Sequence, residues 1–283
     1  MRSMFLRNSI LLAAAGAAPT GALAVAGAAP TGADFDAAPF PSAPVNLNAS
    51  QWIGHFADGR PYNASLAIYD PRKLSIALSP NGCVDHAPVS ATAKFAGCAY
   101  AVNGGFFDFP PKAACEGNLV ISGGVRQFPS DALTNIAVNA THAIAGYLAN
   151  GSMALSLGIS SLVSGRGWLV RGGKQYVNSS RECGPNDSFV RELAPRTGVG
   201  VRADGAGMLL TIDGIEGTSL AAGCSLWEFA DLFLELGATV AVNLDGGGST
   251  TAVYDGKVFN KPHCADTWTV CERAVTSVAC VAA

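Results

Sequence analysis

Residues 239–251 read Thr-Val-Ala-Val-Asn-Leu-Asp-Gly-Gly-Gly-Ser-Thr-Thr, an apolar run that ends in a carboxylate, three glycines and three hydroxyls. The apolar run is typical of a buried strand. Glycines let backbone N–H groups approach a ligand closely, and successive exposed N–H groups attract anions. The stretch therefore predicts a strand that leads into an anion-binding turn beside Asp245. For the glycines alone, a plain tight turn between two strands is the commoner explanation.

A helix is predicted directly before this strand. Ser225 and Glu228 form a capping box, and apolar residues then recur at helical spacing as far as Leu236. Gly237 provides the stop signal. A shorter helix is predicted over Val89–Phe95.

Short apolar runs separated by two-residue turn signals fill most of the chain from residue 65 onward. Such dipeptides between strand-like runs predict β-hairpins. The dipeptides are Asp70-Pro71, Gly123-Gly124, Asn150-Gly151, Gly172-Gly173 and Asp255-Gly256. We therefore predict a single α+β domain, rich in antiparallel sheet and hairpins, with a few packed helices and stapled by disulfides.

The N-terminal segment is typical of a secretory signal peptide. Arg2 and Arg7 precede an apolar stretch, and small residues follow it through Ala29. Pro19 and several glycines interrupt the apolar stretch, which argues against a membrane anchor. We predict a signal peptide over residues 1–29, a flexible leader over 30–48 and the folded domain over 49–283, with no membrane span in the mature chain.

The cysteines and the glycosylation sequons both indicate a secreted protein or a protein of the secretory lumen. An even number of cysteines suits four disulfides, and N-glycans require the secretory route. The cysteines are Cys83, Cys98, Cys115, Cys183, Cys224, Cys264, Cys271 and Cys280. The sequons begin at Asn48, Asn63, Asn139, Asn150, Asn178 and Asn186. No Cys-x-x-Cys pair suggests zinc, and a net charge of -3 does not favour nucleic acid.

Two further stretches place a carboxylate just after an apolar run. Residues 101–108 read Ala-Val-Asn-Gly-Gly-Phe-Phe-Asp, and residues 211–214 read Thr-Ile-Asp-Gly. Asp108 and Asp213 are therefore candidate site residues, although a strand-end turn explains either one taken alone. Arg196 and Thr197 open another strand, and an arginine can bind a phosphate in bidentate fashion. A surface salt bridge is the commoner role of a single arginine.

Taken in order, these stretches resemble the phosphodiester glycosidase family. The order is Asn-Gly-Gly-Phe-Phe-Asp, Arg-Thr-x-x-Gly, Asp-Gly, Leu-Trp-Glu-x-Ala and Asn-Leu-Asp-Gly-Gly-Gly-Ser-Thr, and it covers about residues 60–281. The resemblance implies a hydrolase that needs no cofactor. It would cleave a sugar-1-phosphodiester, of the α-N-acetylglucosamine-1-phosphodiester kind, to free sugar and phosphomonoester.

The resemblance also implies a set of site residues. Catalytic roles fall on Asp108, Arg196, Asp213 and Asp245. Substrate contacts fall on Asn103, Gly104, Gly105, Thr197, Asn243, Gly246, Gly247, Gly248 and Ser249, to which we add Thr250 for its hydroxyl. The implied disulfides are Cys83–Cys115, Cys98–Cys280, Cys183–Cys224 and Cys264–Cys271, which cysteine spacing alone leaves undecided.

A phosphate leaving group is only weakly basic, so its protonation matters less than in ordinary glycoside cleavage. One strong carboxylate with good stabilisation of the anion then suffices. We expect Asp245 to act as nucleophile or as base for water, with Asp213 or Asp108 assisting and Arg196 stabilising the departing phosphate. One alternative is a metal-assisted phosphodiesterase in which the three aspartates bind a hard cation. Another is a non-catalytic, carbohydrate-binding secreted protein.

Overall fold

A computed structural model describes residues 34–110, 112, 114–217, 222–265, 267 and 269–283, so the predicted signal peptide lies outside the described residues. The strands, in chain order, are β1 (Asp34–Pro39), β2 (Asn48–His55), β3 (Pro61–Tyr69), β4 (Leu74–Leu78), β5 (Cys98–Asn103), β6 (Phe107–Asp108), β7 (Ala114–Cys115), β8 (Leu119–Ile121), β9 (Gly124–Gln127), β10 (Asn135–Val138), β11 (His142–Tyr147), β12 (Ser161–Ser164), β13 (Trp168–Arg171), β14 (Lys174–Gln175), β15 (Arg196–Arg202), β16 (Gly207–Ile212), β17 (Ala238–Asn243), β18 (Ala252–Tyr254), β19 (Lys257–Val258) and β20 (Ser277–Ala282). The helices are α1 (Val89–Ala96), α2 (Gly151–Ser156), α3 (Ser188–Arg191) and α4 (Leu226–Glu235).

The described part of the chain contains three large sheets and the two-stranded sheet β6-β7. A six-stranded sheet has the order β1-β11-β10-β12-β8-β9, and a seven-stranded sheet has the order β14-β13-β17-β15-β16-β3-β2. A five-stranded sheet has the order β19-β18-β5-β20-β4. The named strands pair antiparallel throughout these three sheets. The predicted α+β domain rich in antiparallel sheet is therefore confirmed.

A common core joins the sheets, and each sheet also packs against a helix. The common core contains buried aromatic residues from all three sheets, including Tyr100, Tyr147 and Trp168. Helix α4 covers the seven-stranded sheet, α2 the six-stranded sheet and α1 the five-stranded sheet. The helices thus shield the outer faces, while the inner faces pack on one another.

Helix α4 begins as its sequence predicts. The Ser225 hydroxyl accepts the Glu228 N–H at 3.3 Å, and the Glu228 carboxylate accepts the Ser225 N–H at 2.9 Å. The buried rings of Phe229 and Phe233 then pack on β15 at Gly198. A Cβ at that position would lie 2.8 Å from the Phe233 ring, so the strand must be bare there for the helix to approach. The short predicted helix over 89–95 is also confirmed, as α1.

The hairpin predictions have a mixed outcome. Hairpins β8–β9, β13–β14 and β18–β19 are confirmed. The hairpin at Asn150 is wrong, because its side chain accepts the Met153 N–H at 2.9 Å and caps α2 instead. The hairpin at Asp70 is also wrong, because Asp70 caps a 3-10 turn over Pro71–Lys73 that sends β3 and β4 to different sheets. Asparagine and aspartate favour helix starts as well as turns, so the dipeptide alone does not decide.

The prediction of a flexible leader over residues 30–48 is wrong for its described part. Strand β1 pairs with β11 along its whole length and forms an edge of the six-stranded sheet. Arg171 anchors it, donating to Asp34 at 2.6 Å and to Asp36 at 3.2 Å. The Ala- and Pro-rich composition suggested a flexible chain, but the pairing with β11 and these ion pairs hold the segment in place.

Three of the four predicted disulfides are confirmed. They are Cys83–Cys115, Cys98–Cys280 and Cys264–Cys271, with Cα–Cα distances of 5.0, 5.4 and 5.2 Å. The Cys183–Cys224 pairing is wrong, because both residues are buried free thiols. Burial raises the pKa of each thiol to about 12.

The surface is consistent with the sequon prediction. Five sequon asparagines are exposed, namely Asn48, Asn63, Asn150, Asn178 and Asn186. Asn139 is only partly buried, and its amide donates to Leu157 O at 3.1 Å.

In the part of the chain that the structure describes, no helix is both long and apolar enough to cross a bilayer.

Candidate active site

The first and second special stretches of the sequence meet in space. Strand β5 ends at Asn103 and strand β17 ends at Asn243, in different sheets. The Asn103 amide donates to Asp245 O at 2.7 Å, and the Asp245 N–H donates to Gly104 O at 3.2 Å. Thr197 joins them, because its hydroxyl donates to Asn103 Oδ1 at 2.7 Å. Asn103 and Thr197 thus form a buried support beneath Asp245 rather than part of an open surface.

Glycines around Asp245 permit close backbone approach. A Cβ at Gly104 would overlap Ser277, and a Cβ at Gly165 would overlap the carbonyl of Asn243. A Cβ at Gly105 would lie 2.8 Å from Val163 of the six-stranded sheet. The loops that follow β5, β12 and β17 therefore converge at one point, and only bare backbone fits there.

The glycine-rich turn itself is not an open anion nest. Gly246 N donates to Asp245 Oδ1 at 2.9 Å, and Gly247 N donates to Pro195 O at 2.9 Å. The N–H groups of Ser249 and Thr250 donate to carbonyls within the turn. These four N–H groups are already used, so the N–H groups of Gly246 and Gly247 are not available to an anion, and the predicted anion contact at Gly248 stays a prediction.

Because glycines have no side chain, charged side chains from other segments can approach the backbone of this turn. A Cβ at Gly247 would overlap the carboxylate of Glu216, and a Cβ at Gly248 would overlap the guanidinium of Arg273. Gly247 has a φ of +57°, which glycine adopts without strain. The turn thus lies against one carboxylate and one guanidinium that come from other segments.

A cavity of about 260 Å³ opens beside the turn. Five of its lining residues are predicted site residues, namely Arg196, Asp245, Gly246, Gly247 and Ser249. The others are Phe106, Phe107, Phe109, Phe189, Glu192, Glu216 and Arg273. Of these, only the two phenylalanines at 106 and 107 belong to a motif that the sequence singles out. Glu192, Glu216, Arg273 and the other aromatic residues carry no local signal, because folding brings them in from separate segments.

Asp245 is the central ionisable group of the cavity. Burial raises its pKa to about 7, which outweighs the opposing effect of hydrogen bonds from Ser249 and from Gly246 N. The positive charge of Arg273 lowers the pKa and the negative charge of Glu216 raises it. A carboxyl group that titrates near neutrality can exchange protons during turnover.

Arg196 is a buried cation, only 2% exposed, that lines the same cavity. Its guanidinium donates to the carbonyls of Cys224 at 3.2 Å, Phe189 at 2.9 Å and Glu192 at 2.8 Å. Burial lowers its pKa below the usual value. None of the ion pairs among the described residues involves Arg196, although the negative charges of Glu192 and Glu216 act on it and raise its pKa.

The structure does not bring Asp213 to this cavity. Its carboxylate accepts the Asn260 amide at 2.9 Å and the Lys261 N–H at 3.3 Å. Asn260 in turn accepts Ala252 N and donates to Thr250 O, so Asp213 braces the chain that leaves the glycine turn. Burial raises its pKa above the usual value.

Asp108 is also outside the cavity that contains Asp245. It forms an ion pair with Lys112, and hydrogen bonds from Lys112 and Glu116 lower its pKa. Its neighbours Phe107 and Phe109 line the cavity, which fits the alternation of side chains along an extended segment.

Two other predicted contacts are buried in the support. The Asn243 amide donates to the carbonyls of Arg166 and Leu244, and the Thr250 side chain is 2% exposed.

The metal-assisted alternative required Asp108, Asp213 and Asp245 together. Within the described ranges, no three His, Cys, Asp or Glu side chains are grouped so as to bind a metal ion.

Comparisons with known proteins agree on one family. A phosphodiester glycosidase family model matches residues 96–282, a range that contains every residue of the cavity. N-acetylglucosamine-1-phosphodiester alpha-N-acetylglucosaminidase from Bos taurus is 36% identical over 249 residues, which are 81% of this chain and 46% of that protein. The Homo sapiens protein of the same name is 32% identical over 254 residues, which are 83% of this chain and 48% of that protein. The chain thus spans about half the length of these curated relatives.

A solved structure shows the same architecture. The catalytic domain of the zebrafish N-acetylglucosamine-1-phosphodiester alpha-N-acetylglucosaminidase, auto-inhibited by its pro-peptide, superposes with a TM-score of 0.78 at 29% identity. The superposition covers 88% of each chain. The similarity therefore extends over nearly all of the three-sheet fold and its cavity.

Proposed function

Because this chain belongs to the phosphodiester glycosidase family, we propose that it hydrolyses a sugar-1-phosphodiester to free sugar and a phosphomonoester. The named relatives are N-acetylglucosamine-1-phosphodiester alpha-N-acetylglucosaminidases, so α-linked N-acetylglucosamine is the sugar we propose. One observation carries the proposal. Asp245, with a pKa near 7, and the buried cation Arg196 line the same cavity.

The arginines would hold the phosphodiester. Arg196 and Arg273 both line the cavity, and a phosphodiester carries one negative charge that pairs well with guanidinium groups. During the reaction the bond between the anomeric carbon and the phosphate oxygen breaks, and charge grows on that oxygen. Fixed cations near that oxygen lower the barrier because they stabilise the developing charge.

Asp245 would act at the anomeric carbon in its ionised form. As a nucleophile it forms a glycosyl ester that water then hydrolyses, with retention of configuration. As a base it activates water for direct attack, with inversion. Glu216 supplies a second carboxyl group beside the glycine turn, as glycoside hydrolysis generally uses two. The anomeric configuration of the first sugar released, followed by NMR, separates the two roles of Asp245.

We also propose that the protein works in an oxidising, secretory compartment. Three disulfides and five exposed sequon asparagines support this placement. Mapping the disulfides and glycans of protein recovered from culture medium tests it. Absence of the protein from the medium and the secretory lumen would contradict it.

The decisive experiment is incubation with methyl N-acetyl-α-glucosaminyl phosphate and with diesters of other sugars, followed by chromatography of the products. We expect free N-acetylglucosamine from the wild-type protein. Asp245→Asn should lower kcat by about 10³-fold, as expected for loss of a catalytic carboxylate. Asp255→Asn is the matched control, because Asp255 is an exposed turn residue with a φ of +48° that asparagine tolerates.

Two outcomes would contradict the proposal. Near-normal turnover by a folded Asp245→Asn variant would exclude the role of Asp245. Saturable binding of the diesters without any product would indicate the non-catalytic, carbohydrate-binding alternative.

A further inference from the structure

A second cavity, of about 250 Å³, adjoins the first. We call it the acidic cavity. It is lined by Phe106, Glu116, Gly117, Leu133, Ser164, Gly165, Arg166 and Glu182. Phe106 lines both cavities, so the two cavities adjoin at this residue. The loop at Gly165 is one of the loops that meet near Asp245. In this loop, Arg166 N donates to Asn243 O at 3.0 Å.

The boundary between the two cavities is aromatic and cationic. The Phe106 and Phe189 rings contact each other edge to face, with centroids 6.2 Å apart. The guanidinium carbon of Arg166 lies 4.3 Å from the Phe189 centroid, and that of Arg196 lies 4.8 Å from it. Arg166 also pairs with Asp187 at 2.8 Å. The Phe189 ring is thus contacted by one cation from each cavity, Arg196 from the first and Arg166 from the second.

A phosphodiester has two arms with the negative charge between them. We propose, on the basis of the proposed function, that the acidic cavity binds the alcohol arm of the substrate while the sugar arm occupies the cavity of Asp245. The phosphate then stays with Arg196 at the boundary, and Arg166 lines the cavity of the alcohol arm. The phosphate remains with the alcohol when the sugar leaves, so the phosphomonoester product departs from the acidic cavity.

The chemistry of the acidic cavity selects the kind of alcohol. The oxygens of Glu182 are already bonded, to Thr134 N and to the hydroxyls of Tyr147 and Ser180. Its negative charge remains, and Glu116 adds a second carboxyl group. Carboxylates accept hydrogen bonds and attract cations, so the alcohol arm carries further hydrogen-bond donors, either hydroxyl or ammonium groups.

Glu116 is the specificity-determining residue in this assignment. Its backbone N–H donates to Phe106 O at 2.9 Å, which ties it to the residue at which the two cavities adjoin. Burial and a hydrogen bond that it donates to Asp108 raise the pKa of its carboxyl group, while the charge of Lys112 lowers it. Asp108 therefore contacts Glu116, a residue of the acidic cavity, rather than Asp245.

The test uses four diesters of the same sugar, with methyl, propyl, glyceryl and 2-aminoethyl phosphates, and compares kcat/KM. For the wild-type protein we expect glyceryl, aminoethyl or both to exceed propyl by about tenfold, because a hydrogen bond to a charged group contributes that much. Glu116→Gln keeps the size of the side chain but removes the charge, and should abolish this preference. Glu235→Gln, at an exposed position at the end of α4, is the matched control and should preserve it.

A second variant tests the location independently of charge. Leu133→Trp should fill the acidic cavity and lower kcat/KM for propyl and glyceryl relative to methyl by about tenfold, through steric exclusion. Leu155→Trp, at an exposed position on α2, is the control for the added ring. Thermal unfolding of each variant verifies that it is folded.

The outcomes separate the two proposals. A preference for aminoethyl alone or for glyceryl alone that Glu116→Gln abolishes supports the acidic cavity and identifies the donor as ammonium or hydroxyl. If the methyl diester is cleaved but Glu116→Gln and Leu133→Trp both keep the wild-type ratios of kcat/KM among the four diesters, the alcohol arm binds elsewhere. This inference is then overturned. If no diester is cleaved, the proposed function itself fails.

Discussion

At the scale of single residues, the buried environment of Asp245 makes its ionisation costly to the fold. It is held by Gly246 N at 2.9 Å and supported from below by Asn103, yet its surroundings raise its pKa to about 7. A carboxyl group in ordinary surroundings has a pKa of 3.8. The difference means that the native protein holds a proton on Asp245 where the unfolded chain has already lost it.

The stability of the protein should therefore depend on pH through Asp245. The stabilisation that comes from the raised pKa is complete below pH 3.8 and is lost as the pH rises through 7. Asp245→Asn carries no such charge, so its advantage in free energy of unfolding over the wild-type protein should grow by about 2 kcal/mol between pH 5 and pH 8. Urea unfolding at both pH values measures it, with Asp255→Asn as control. An advantage that is equal at both pH values would show that Asp245 is not desolvated.

The unanticipated residues at this scale share one property. Glu192, Glu216 and Arg273 line the cavity but belong to no motif. Asp245 could be predicted because a carboxylate followed by three glycines is a local pattern. A lone glutamate or arginine has many surface roles, and only packing shows that it faces Asp245.

At the scale of elements, the packing of α4 on β15 positions the site. Strand β15 presents Gly198 and Gly200 to the rings of Phe229 and Phe233. The same strand begins with Arg196, and its partner β17 leads directly to Asp245. The close approach of helix and strand thus sets where the buried cation lies relative to the carboxyl group.

Gly198→Ala should disturb this packing. The new Cβ would lie 2.8 and 2.9 Å from the Phe233 and Phe229 rings, which are fully buried and cannot move freely. We expect a loss of about 1–3 kcal/mol in the free energy of unfolding, as for other overpacked cores. Gly184→Ala is the control, because a Cβ there has no heavy atom within 4 Å. Equal stability of the two variants in urea unfolding would contradict the packing argument.

At the scale of the whole molecule, three sheets meet at one point and disulfides hold distant segments there. Cys98–Cys280 joins β5 to β20 across a sequence separation of 182 residues. Cys264–Cys271 closes a separation of only 7 residues in the segment before Arg273. Cross-links of such different length constrain the unfolded chain to different degrees.

Removing these two disulfides should have unequal effects. In the chain-entropy model, replacing Cys98 and Cys280 by alanine should cost about 5 kcal/mol and replacing Cys264 and Cys271 about 2 kcal/mol. Urea unfolding of the two double variants measures the difference. An equal or reversed order would show that native contacts, rather than loop closure, determine what these cross-links contribute.

The sequence by itself determined the features that depend on neighbouring residues. These are the capped helix α4, three of the hairpins, the strand that ends at Asn243 just before Asp245 and, through family resemblance, three disulfide pairs. Capping, turn chemistry and hydrophobic periodicity operate over a few residues, so they can be read along the chain.

Only the tertiary structure decided the features that depend on distant segments. Four N–H groups of the glycine turn are hydrogen-bonded, and Arg273 and Glu216 line the same cavity as Asp245, whereas Asp213 and Asp108 do not. Cys183 and Cys224 are free thiols. Part of the predicted leader forms strand β1. The physical reason is that burial, long-range contacts and desolvation depend on which surfaces meet when the three sheets pack, and no short stretch of sequence contains that information.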